Sequence, residues 1–133
     1  MIYILIMKYL KITFFLLFTH LISAQMKNSA FEALEKSDLT TLSGMLDNRV
    51  EICFDNKVQY LDKQATIAAI KNFLTQNPPK SCNPVHNGAA KGNASQYSIG
   101  TLASTNGKNY RVFIFTSDKG DRKIIQELKI DLQ

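Results

Sequence analysis

The sequence predicts an α+β domain in which three helices pack on a curved, mainly antiparallel sheet. Apolar residues recur at helical spacing soon after residue 24, whereas apolar and polar residues alternate at strand spacing through much of residues 97–130. The predicted elements follow the order helix, helix, hairpin, helix and four strands. Helices and strands in separate runs are typical of α+β domains, in which the helices cover one face of the sheet.

The first 24 residues have the order of a cleavable secretory signal peptide. Lys8 and Lys11 come first, an apolar run over residues 12–22 follows, and the small pair Ser23-Ala24 ends the segment. The alternative is an uncleaved membrane anchor, but a helix over that run would cross only about half of a hydrocarbon core ~30 Å thick. We therefore expect an exported protein, periplasmic or extracellular, with a signal peptide over residues 1–24 and one α+β domain over residues 25–133.

The start of translation has two candidates. Residues 1–6 are apolar and precede the lysines, which is the wrong order for a charged leader. A start at Met7 places Lys8 where a signal peptide carries its charge. Met7 is therefore the expected start, and Met1 is the alternative.

Composition limits the partners of the mature domain. Removal of the signal segment takes the basic residues from 16 to 14 against 11 acidic ones, so the net charge falls from +5 to +3. The remaining basic residues are scattered singly, whereas a nucleic-acid surface needs them clustered. We expect no nucleic-acid partner, and no membrane span once the signal peptide is removed.

Two cysteines, Cys53 and Cys82, remain in the domain. Neither belongs to a CxxC motif, and the residues directly beside them, 51–54 and 80–83, include no histidine and no metal-ligand spacing, so we expect no metal site, no redox site and no cofactor. Export permits a disulfide between them, and the alternative is two separate thiols. The order of the strands decides between these alternatives, because a disulfide needs the two Cα atoms within about 7 Å.

The first half of the domain contains the helices and a hairpin. Ser37-Asp38 separates two short helical patterns and is suited to capping the second of them. Residues 50–54 and 58–60 alternate around the polar turn 55–57, which indicates a hairpin. Asp62 can cap a third helix, which Asn77-Pro78-Pro79 ends. The apolar positions of the three helices are Ala30, Phe31, Ala33 and Leu34, then Leu39, Leu42, Met45 and Leu46, then Ile67, Ile70, Phe73 and Leu74.

The second half of the domain reads as a meander of four strands. Residues 82–91 contain Pro84, which cannot donate a ladder hydrogen bond, so this strand belongs at a sheet edge. Tyr97, Ile99, Thr101 and Ala103 share one face of the next strand. Residues 111–115 are apolar on both faces, which is expected of a central strand. Ile124, Leu128 and Ile130 line one face of the last strand. This element order is shared by the cone-shaped fold of the nuclear transport factor and ketosteroid isomerase type, which encloses a pocket between sheet and helices.

Several short stretches, spread over nearly the whole domain, form a recognisable combination. The stretches are Ala33-Leu34-Glu35-Lys36, Val50-Glu51-Ile52, residues 73–80, His86-Asn87-Gly88, Tyr97-Ser98-Ile99-Gly100, Tyr110-Arg111-Val112 and residues 125–130. Together they resemble a family of small exported Bacteroidetes-type proteins, domain of unknown function 4783. The resemblance implies a nuclear-transport-factor-like, or cystatin-like, fold and an exported location, and it implies no activity. The two cysteines depart from the pattern expected of the family.

Candidates for catalysis are few. An isomerase or dehydratase of this fold needs a base inside the pocket and an acid to polarise the substrate oxygen. His86 is the domain's one histidine and lies on the predicted edge strand, where a solvated imidazole is the ordinary expectation. Glu51 and Asp55 alternate with an apolar face, and Asp62 is explained by capping. We therefore predict no catalytic residue.

Tyr97, Tyr110 and Arg111, with His86, are the candidates for ligand binding, because phenol and guanidinium groups donate to acidic ligands. The structural alternative is that Tyr97 fills core volume with its hydroxyl at the rim and Arg111 pairs with a neighbouring carboxylate such as Glu127. The leading hypothesis is a non-enzymatic exported module that binds a small ligand or an envelope protein. The second is a small pocket enzyme with His86 or a buried carboxylate as its base.

Overall fold

The computed structural model describes residues 2–3, 29–90, 92 and 94–133, and the domain within them contains three helices and six strands. The elements follow the predicted order. They are α1 (Ser29–Glu35), α2 (Leu39–Met45), β1 (Leu46–Phe54), β2 (Lys57–Asp62), α3 (Lys63–Gln76), β3 (Pro79–Ala90), β4 (Ser95–Ser104), β5 (Asn109–Lys119) and β6 (Arg122–Leu132).

The predicted signal peptide, residues 1–24, lies outside the described residues except for Ile2 and Tyr3. Within the described part of the chain, no helix is long and apolar enough to cross a membrane.

The strands form one sheet in the order β2-β1-β6-β5-β4-β3. Neighbouring strands are antiparallel except for β1 and β6, which are parallel. The predicted mainly antiparallel sheet is therefore confirmed, and β5 is an interior strand as predicted. The sheet is open, with β2 and β3 as its edges, so the cone expected from the element order does not close into a barrel.

The predicted caps and turns hold the first half together. The Asp38 carboxylate accepts the Thr41 backbone N–H at 3.1 Å and caps α2, and the Asp62 carboxylate accepts the Ala65 N–H at 2.8 Å and caps α3. Asp55 and Asn56 both have positive φ, as a two-residue hairpin turn requires. These local signals explain why the predicted elements begin and end close to the observed positions.

The helices cover one face of the sheet, here called the inner face. Apolar side chains from this face and from all three helices form a single buried cluster, which occupies the space between the two layers. Among the described residues, a packed core therefore lies where the element order predicts a pocket between sheet and helices. Its largest fully buried members are Phe31, Leu34, Leu42, Leu46, Ile52, Ile70, Leu102, Ile114, Ile125, Leu128 and Ile130.

Strand β3 is an irregular edge. Its pairing with β4 changes register between Pro79 and Ser81 and again between Pro84 and His86. Helix α1 crosses this edge on the inner face, where the Glu35 carboxylate accepts the Cys82 backbone N–H at 3.0 Å. The prediction that the Pro84 strand lies at an edge is confirmed.

Candidate functional site

The sheet face turned away from the helices, here called the open face, carries three of the four predicted ligand-binding residues. His86, Tyr97 and Arg111 belong to three adjacent strands, and cross-strand register places them on this face. The His86 ring nitrogen Nε2 lies 3.3 Å from the Tyr97 hydroxyl. Tyr110 points to the inner face instead, because consecutive residues of a strand point to opposite sides. The structure therefore divides the predicted set into an open-face group and a core tyrosine.

Aromatic rings and ion pairs share the open face. The rings of Tyr97 and Phe113 stack with centroids 6.2 Å apart, and the Lys129 ammonium lies 5.8 Å from the Phe113 centroid. Lys129 also forms ion pairs with Glu51 at 3.4 Å and Glu127 at 3.7 Å. Lys129 is thus shared between two carboxylates, beside rings that are only partly exposed.

Two structural interpretations made from the sequence need correction. Tyr97 does not fill core volume, because its ring lies on the open face over Gly88. Arg111 lies opposite Asp131 rather than Glu127, which pairs with Phe115 across the strands and with Lys129 through its carboxylate. The two errors have different causes. For Tyr97, the sequence alternation identifies the two faces of a strand but not which face the helices cover. Arg111 and Glu127 share the open face, and the register of β5 against β6 separates them.

The two cysteines are free thiols. Cys53 is on β1 and Cys82 is on β3, and β6, β5 and β4 lie between them. At about 4.8 Å per strand step the separation is roughly 19 Å, far beyond the span of a disulfide. Of the two alternatives left open by the sequence, the structure therefore has the separate thiols.

A surface groove of about 610 Å³ lies where α3 ends, between that helix, the β1–β2 hairpin and the β4–β5 turn. Its walls are mainly polar, with five side-chain amides, two lysines and one carboxylate. Phe54 and Phe73 contribute its apolar surface, and their rings stack at 5.0 Å. The lining residues are Phe54, Asp55, Lys57, Gln59, Ala69, Asn72, Phe73, Gln76, Asn77, Asn106 and Lys108.

Asn77 holds the end of the groove in place. Its side-chain oxygen accepts the Tyr110 hydroxyl at 2.7 Å and the Asn106 amide at 2.9 Å, and its Nδ2 donates to the Phe73 carbonyl at 3.1 Å. The Asn106 side-chain oxygen accepts the Lys108 backbone N–H at 2.9 Å. A buried amide with all these partners is a rigid support. Tyr110, predicted as a ligand residue, is part of this support and lies behind the groove.

Other polar groups of the groove keep hydrogen-bonding capacity. Gln76 donates to the Asn72 side-chain oxygen at 3.3 Å, which leaves the Asn72 amide nitrogen and the Gln76 oxygen available. One oxygen of Asp55 accepts the Leu132 backbone N–H at 2.8 Å. Among the described residues, no carboxylate forms an ion pair with Lys57 or Lys108. The groove thus presents donors, acceptors and two uncompensated cations.

Sequence reasoning missed this groove. Its amides come from a strand, a helix and a turn, so no motif unites them along the chain. Asn72 and Gln76 were visible as an i, i+4 pair on one helix face, and Lys57 and Lys108 are the last residues of the predicted turns 55–57 and 104–108. A second, smaller cleft of about 340 Å³ lies between α2 and α3 and is lined by Ser37, Leu39, Lys71, Leu74 and Thr75.

Among the described residues, the charged side chains lie at the surface or are half-buried. Across the described residues, no group of three His, Cys, Asp or Glu side chains could hold a metal ion. The buried polar side chains of the same residues are Thr66, Asn77, Ser98 and Ser104, none of which is an acid or a base at neutral pH. His86 is exposed and is not among the groove residues.

Three buried or half-buried groups have a pKa that is raised in the folded chain. Burial raises the pKa of the Cys53 thiol, with a further contribution from Asp131, and burial raises the pKa of the Tyr110 hydroxyl. Burial alone would lower the pKa of Lys129, but its interactions with Glu51 and Glu127 outweigh that effect and raise it. A group whose pKa is higher in the folded chain than in the unfolded chain stabilises the fold. This stabilisation is complete at pH values below the pKa of the unfolded chain and is lost as the pH rises through the pKa of the folded chain.

We therefore expect the free energy of unfolding to fall from pH 7 to pH values above about 9. Urea titrations followed by circular dichroism at both pH values measure the loss, and Cys53→Ala should make it smaller. The quantity to compare between the unsubstituted protein and Cys53→Ala is the change in unfolding free energy from the lower to the higher pH, because Cys53→Ala also removes packing contacts at both pH values. An unchanged alkaline loss in Cys53→Ala would show that this thiol does not contribute.

The fold class and the family follow from comparison with known proteins. The architecture is that of nuclear-transport-factor-like (NTF2-like) proteins. An NTF2-like protein from Cytophaga hutchinsonii superimposes with a TM-score of 0.59 at 10% identity, over 77% of this chain and 88% of that one. At this identity the likeness shows the fold alone. More specifically, residues 27–131 match the family model of the domain of unknown function DUF4783, and the chain belongs to that family.

Solved members of the family come from Bacteroides. The protein from Bacteroides ovatus is 32% identical and superimposes with a TM-score of 0.72, over 78% of this chain and 92% of that one. The protein from Bacteroides fragilis is 26% identical, also with a TM-score of 0.72, over 78% of this chain and 95% of that one. No curated protein matches the sequence. The resemblance to this family found in the sequence is confirmed.

Proposed function

We propose that this protein is an exported, non-enzymatic binding module and that the amide-lined groove is its ligand site. The observation that carries the proposal is the groove itself, where free donors, acceptors and two uncompensated lysines converge on a rigid support. Small-ligand sites of this kind combine a fixed frame with a few convergent polar groups. Export rests on the signal-peptide pattern of residues 1–24.

The groove chemistry favours a small, hydroxyl-rich anion such as a sugar acid. Side-chain amides both donate and accept, so Gln59, Asn72 and Gln76 suit hydroxyl groups, which do the same. Lys57 and Lys108 supply two positive charges against the single charge of Asp55, which favours an anionic group on the ligand. The apolar patch formed by Phe54 and Phe73 provides contact for the carbon skeleton.

The alternative of a small pocket enzyme receives less support. General acid–base catalysis on this fold would need His86 or a carboxylate inside an enclosed cavity. His86 is exposed on the open face, and the core cluster fills the space between the helices and the sheet. Asp55 lies at the rim of an open groove and already accepts a backbone N–H. These positions favour binding over catalysis.

Titration of the isotope-labelled protein with glucuronate, and separately with glucose, tests the groove. We expect glucuronate to shift the side-chain amide resonances of Gln59, Asn72 and Gln76 more strongly than glucose does. Lys57→Gln and Lys108→Gln should each weaken glucuronate binding by about 3- to 10-fold.

Lys63→Gln is the matched control, because Lys63 begins α3 and lies roughly 20 Å from the Gln76 end of that helix. It should leave the affinity unchanged. Equal responses to the two sugars would contradict the anionic preference. The absence of any groove response up to about 10 mM would contradict a sugar-acid site.

A further inference from the structure

Strand β2 is an edge with unused hydrogen-bonding groups. The two-residue turn Asp55-Asn56 makes Phe54 and Lys57 a hydrogen-bonded pair, and such pairs alternate with non-hydrogen-bonded pairs along the hairpin. Gln59 therefore also bonds to β1, whereas the backbone N–H and C=O groups of Val58 and Tyr60 point away from the sheet. The edge offers two donors and two acceptors at a spacing that another strand can match.

Apolar side chains accompany these outward backbone groups. Val58 and Tyr60 are each 60% exposed, and their pairing with Cys53 and Glu51 places both on the open face. Leu61, on the inner face, is half-buried against the core. An edge strand without proline that exposes two large apolar side chains is a template for pairing with another strand.

The other edge of the sheet is protected in ways that β2 is not. Strand β3 contains Pro79 and Pro84, two register shifts, and helix α1 packed along it. Strand β2 pairs with β1 in unbroken register over its whole length. Arg49 contacts the β2 edge twice, since it donates a hydrogen bond of 3.2 Å to the Tyr60 carbonyl and its guanidinium carbon lies 5.1 Å from the centroid of the Tyr60 ring. A carbonyl oxygen can accept a second hydrogen bond, so this contact leaves the edge usable.

We propose that the β2 edge binds the β2 edge of a second copy of this chain, in an antiparallel pair centred on Gln59. This register is selected by two conditions. Residues directly opposite each other must lie on the same face, and the outward backbone groups must meet. In the register centred on Gln59, Val58 lies opposite Tyr60 of the partner subunit, and Tyr60 lies opposite Val58 of the partner subunit.

The resulting contact satisfies both the backbone and the side chains. Each Val58–Tyr60 pair between the subunits exchanges two backbone hydrogen bonds, and the two-fold axis repeats the exchange. A β-branched residue opposite an aromatic one is a favourable cross-strand pair. The alternative register centred on Tyr60 would place Val58 opposite the charged Asp62 of the partner subunit, and so it is disfavoured.

Charge also permits this association. Strand β2 carries one lysine, Lys57, at its start and one aspartate, Asp62, at its end. The antiparallel arrangement brings the Lys57 end of each strand to the Asp62 end of the other, so the pair has no net charge. A two-fold pair of identical edges is also closed, and it does not propagate into a filament through this contact. The contact joins two sheets of six strands into one continuous sheet of twelve.

The dimer would place two ligand grooves on either side of one axis, because Lys57 and Gln59 line the groove on the inner face of β2. The association does not depend on what the groove binds. A six-residue edge is small for an interface, so we expect a weak dimer with a dissociation constant of about 100 μM.

Disulfide trapping tests the register directly. In the proposed dimer, residue 59 faces its own copy in a non-hydrogen-bonded pair, where Cα atoms are about 4.5 Å apart, within the span of a disulfide. Gln59→Cys in the chain from Gln25 onward should therefore form a covalent dimer under mild oxidation. Val85→Cys is the matched control, because Val85 is 75% exposed on the other edge strand, and it should stay monomeric.

Sedimentation equilibrium up to about 1 mM measures the association without crosslinking. Val58→Lys combined with Tyr60→Lys places like charges opposite each other and should weaken the dimer by at least about tenfold. Val85→Lys should have no effect. A chain that stays monomeric at about 1 mM overturns the proposal. So does a dimer that tolerates the Val58 and Tyr60 changes, or one in which Gln59→Cys fails to crosslink.

Discussion

Ile114→Ala should lower the free energy of unfolding by about 2–5 kcal/mol. Ile114 lies on β5, an interior strand, and is 2% exposed on the inner face. It pairs with Leu128 on one neighbouring strand and with Ser98 on the other. Removal of its buried carbons loses their transfer free energy and leaves a cavity between the sheet and the helices. The surrounding side chains are packed between the sheet and the helices, so they can move only partly into that space.

Urea unfolding followed by circular dichroism measures this loss, since the chain has no tryptophan for fluorescence. Ile99→Ala is a matched control, because Ile99 lies on the adjacent strand but faces the open side, where it is half-buried. Its cost should be smaller, about 1 kcal/mol. A loss below ~0.5 kcal/mol for Ile114→Ala would show that the helices do not cover this face of β5.

The element order could be predicted from the sequence because its signals are local. The Asp38 and Asp62 caps, the Asp55-Asn56 turn and the prolines that follow α3 each act over three or four residues. Apolar periodicity of 3.6 or 2 then distinguishes helix from strand between these signals. None of these signals depends on which strands become neighbours. They were therefore sufficient to predict the helices and strands and to place the strand that contains Pro84 at an edge of the sheet.

The pairing of β1 with β6 could not be predicted from local sequence signals. It joins residues about 75 positions apart, such as Cys53 and Lys129, in parallel, and many other pairings satisfy the same alternation. This pairing places Cys53 and Cys82 far apart in the sheet. The outward position of Tyr97 depends on a second piece of long-range information, which is the face of the sheet that the helices cover.

The candidate site was missed for a related reason. The groove forms where the end of α3, the first hairpin and the β4–β5 turn meet, and its contributors have no common spacing. Asn77 illustrates the difficulty. In the sequence it belongs to the Asn-Pro-Pro segment that ends a helix, whereas in the fold it accepts hydrogen bonds from Tyr110 and Asn106, about thirty residues away.

Gly100→Ala should destabilise the fold by about 3 kcal/mol through overpacking. Gly100 lies on the inner face of β4, opposite Pro84 of the irregular edge strand. A methyl group there would lie well inside van der Waals contact with the ring of Phe31 and with the backbone carbonyl of Asn83. Phe31 is fully buried on α1, so its ring has little free space to move into. Gly100 is thus a position at which α1 and β3 both approach β4 closely.

Gly44→Ala provides the matched control for the Gly100 prediction. Gly44 is within α2, and a methyl group there would meet nothing within 4 Å. Because alanine is the better helix former, this change should stabilise the protein by about 0.5–1 kcal/mol. The same chemical change at two glycines should therefore have opposite signs. Equal effects would contradict a close approach of α1 to β4.

Phe31→Leu in the Gly100→Ala background separates the two contacts. Shortening the ring removes the side-chain clash, but the carbonyl of Asn83 belongs to the backbone of β3 and stays where it is. The double variant should therefore be more stable than the sum of the single changes predicts, yet less stable than Phe31→Leu alone. If the double variant were as stable as Phe31→Leu, the ring of Phe31 alone would require glycine at position 100. If the effects of the two changes simply added, the approach of β3 to β4 would require glycine there, independently of α1.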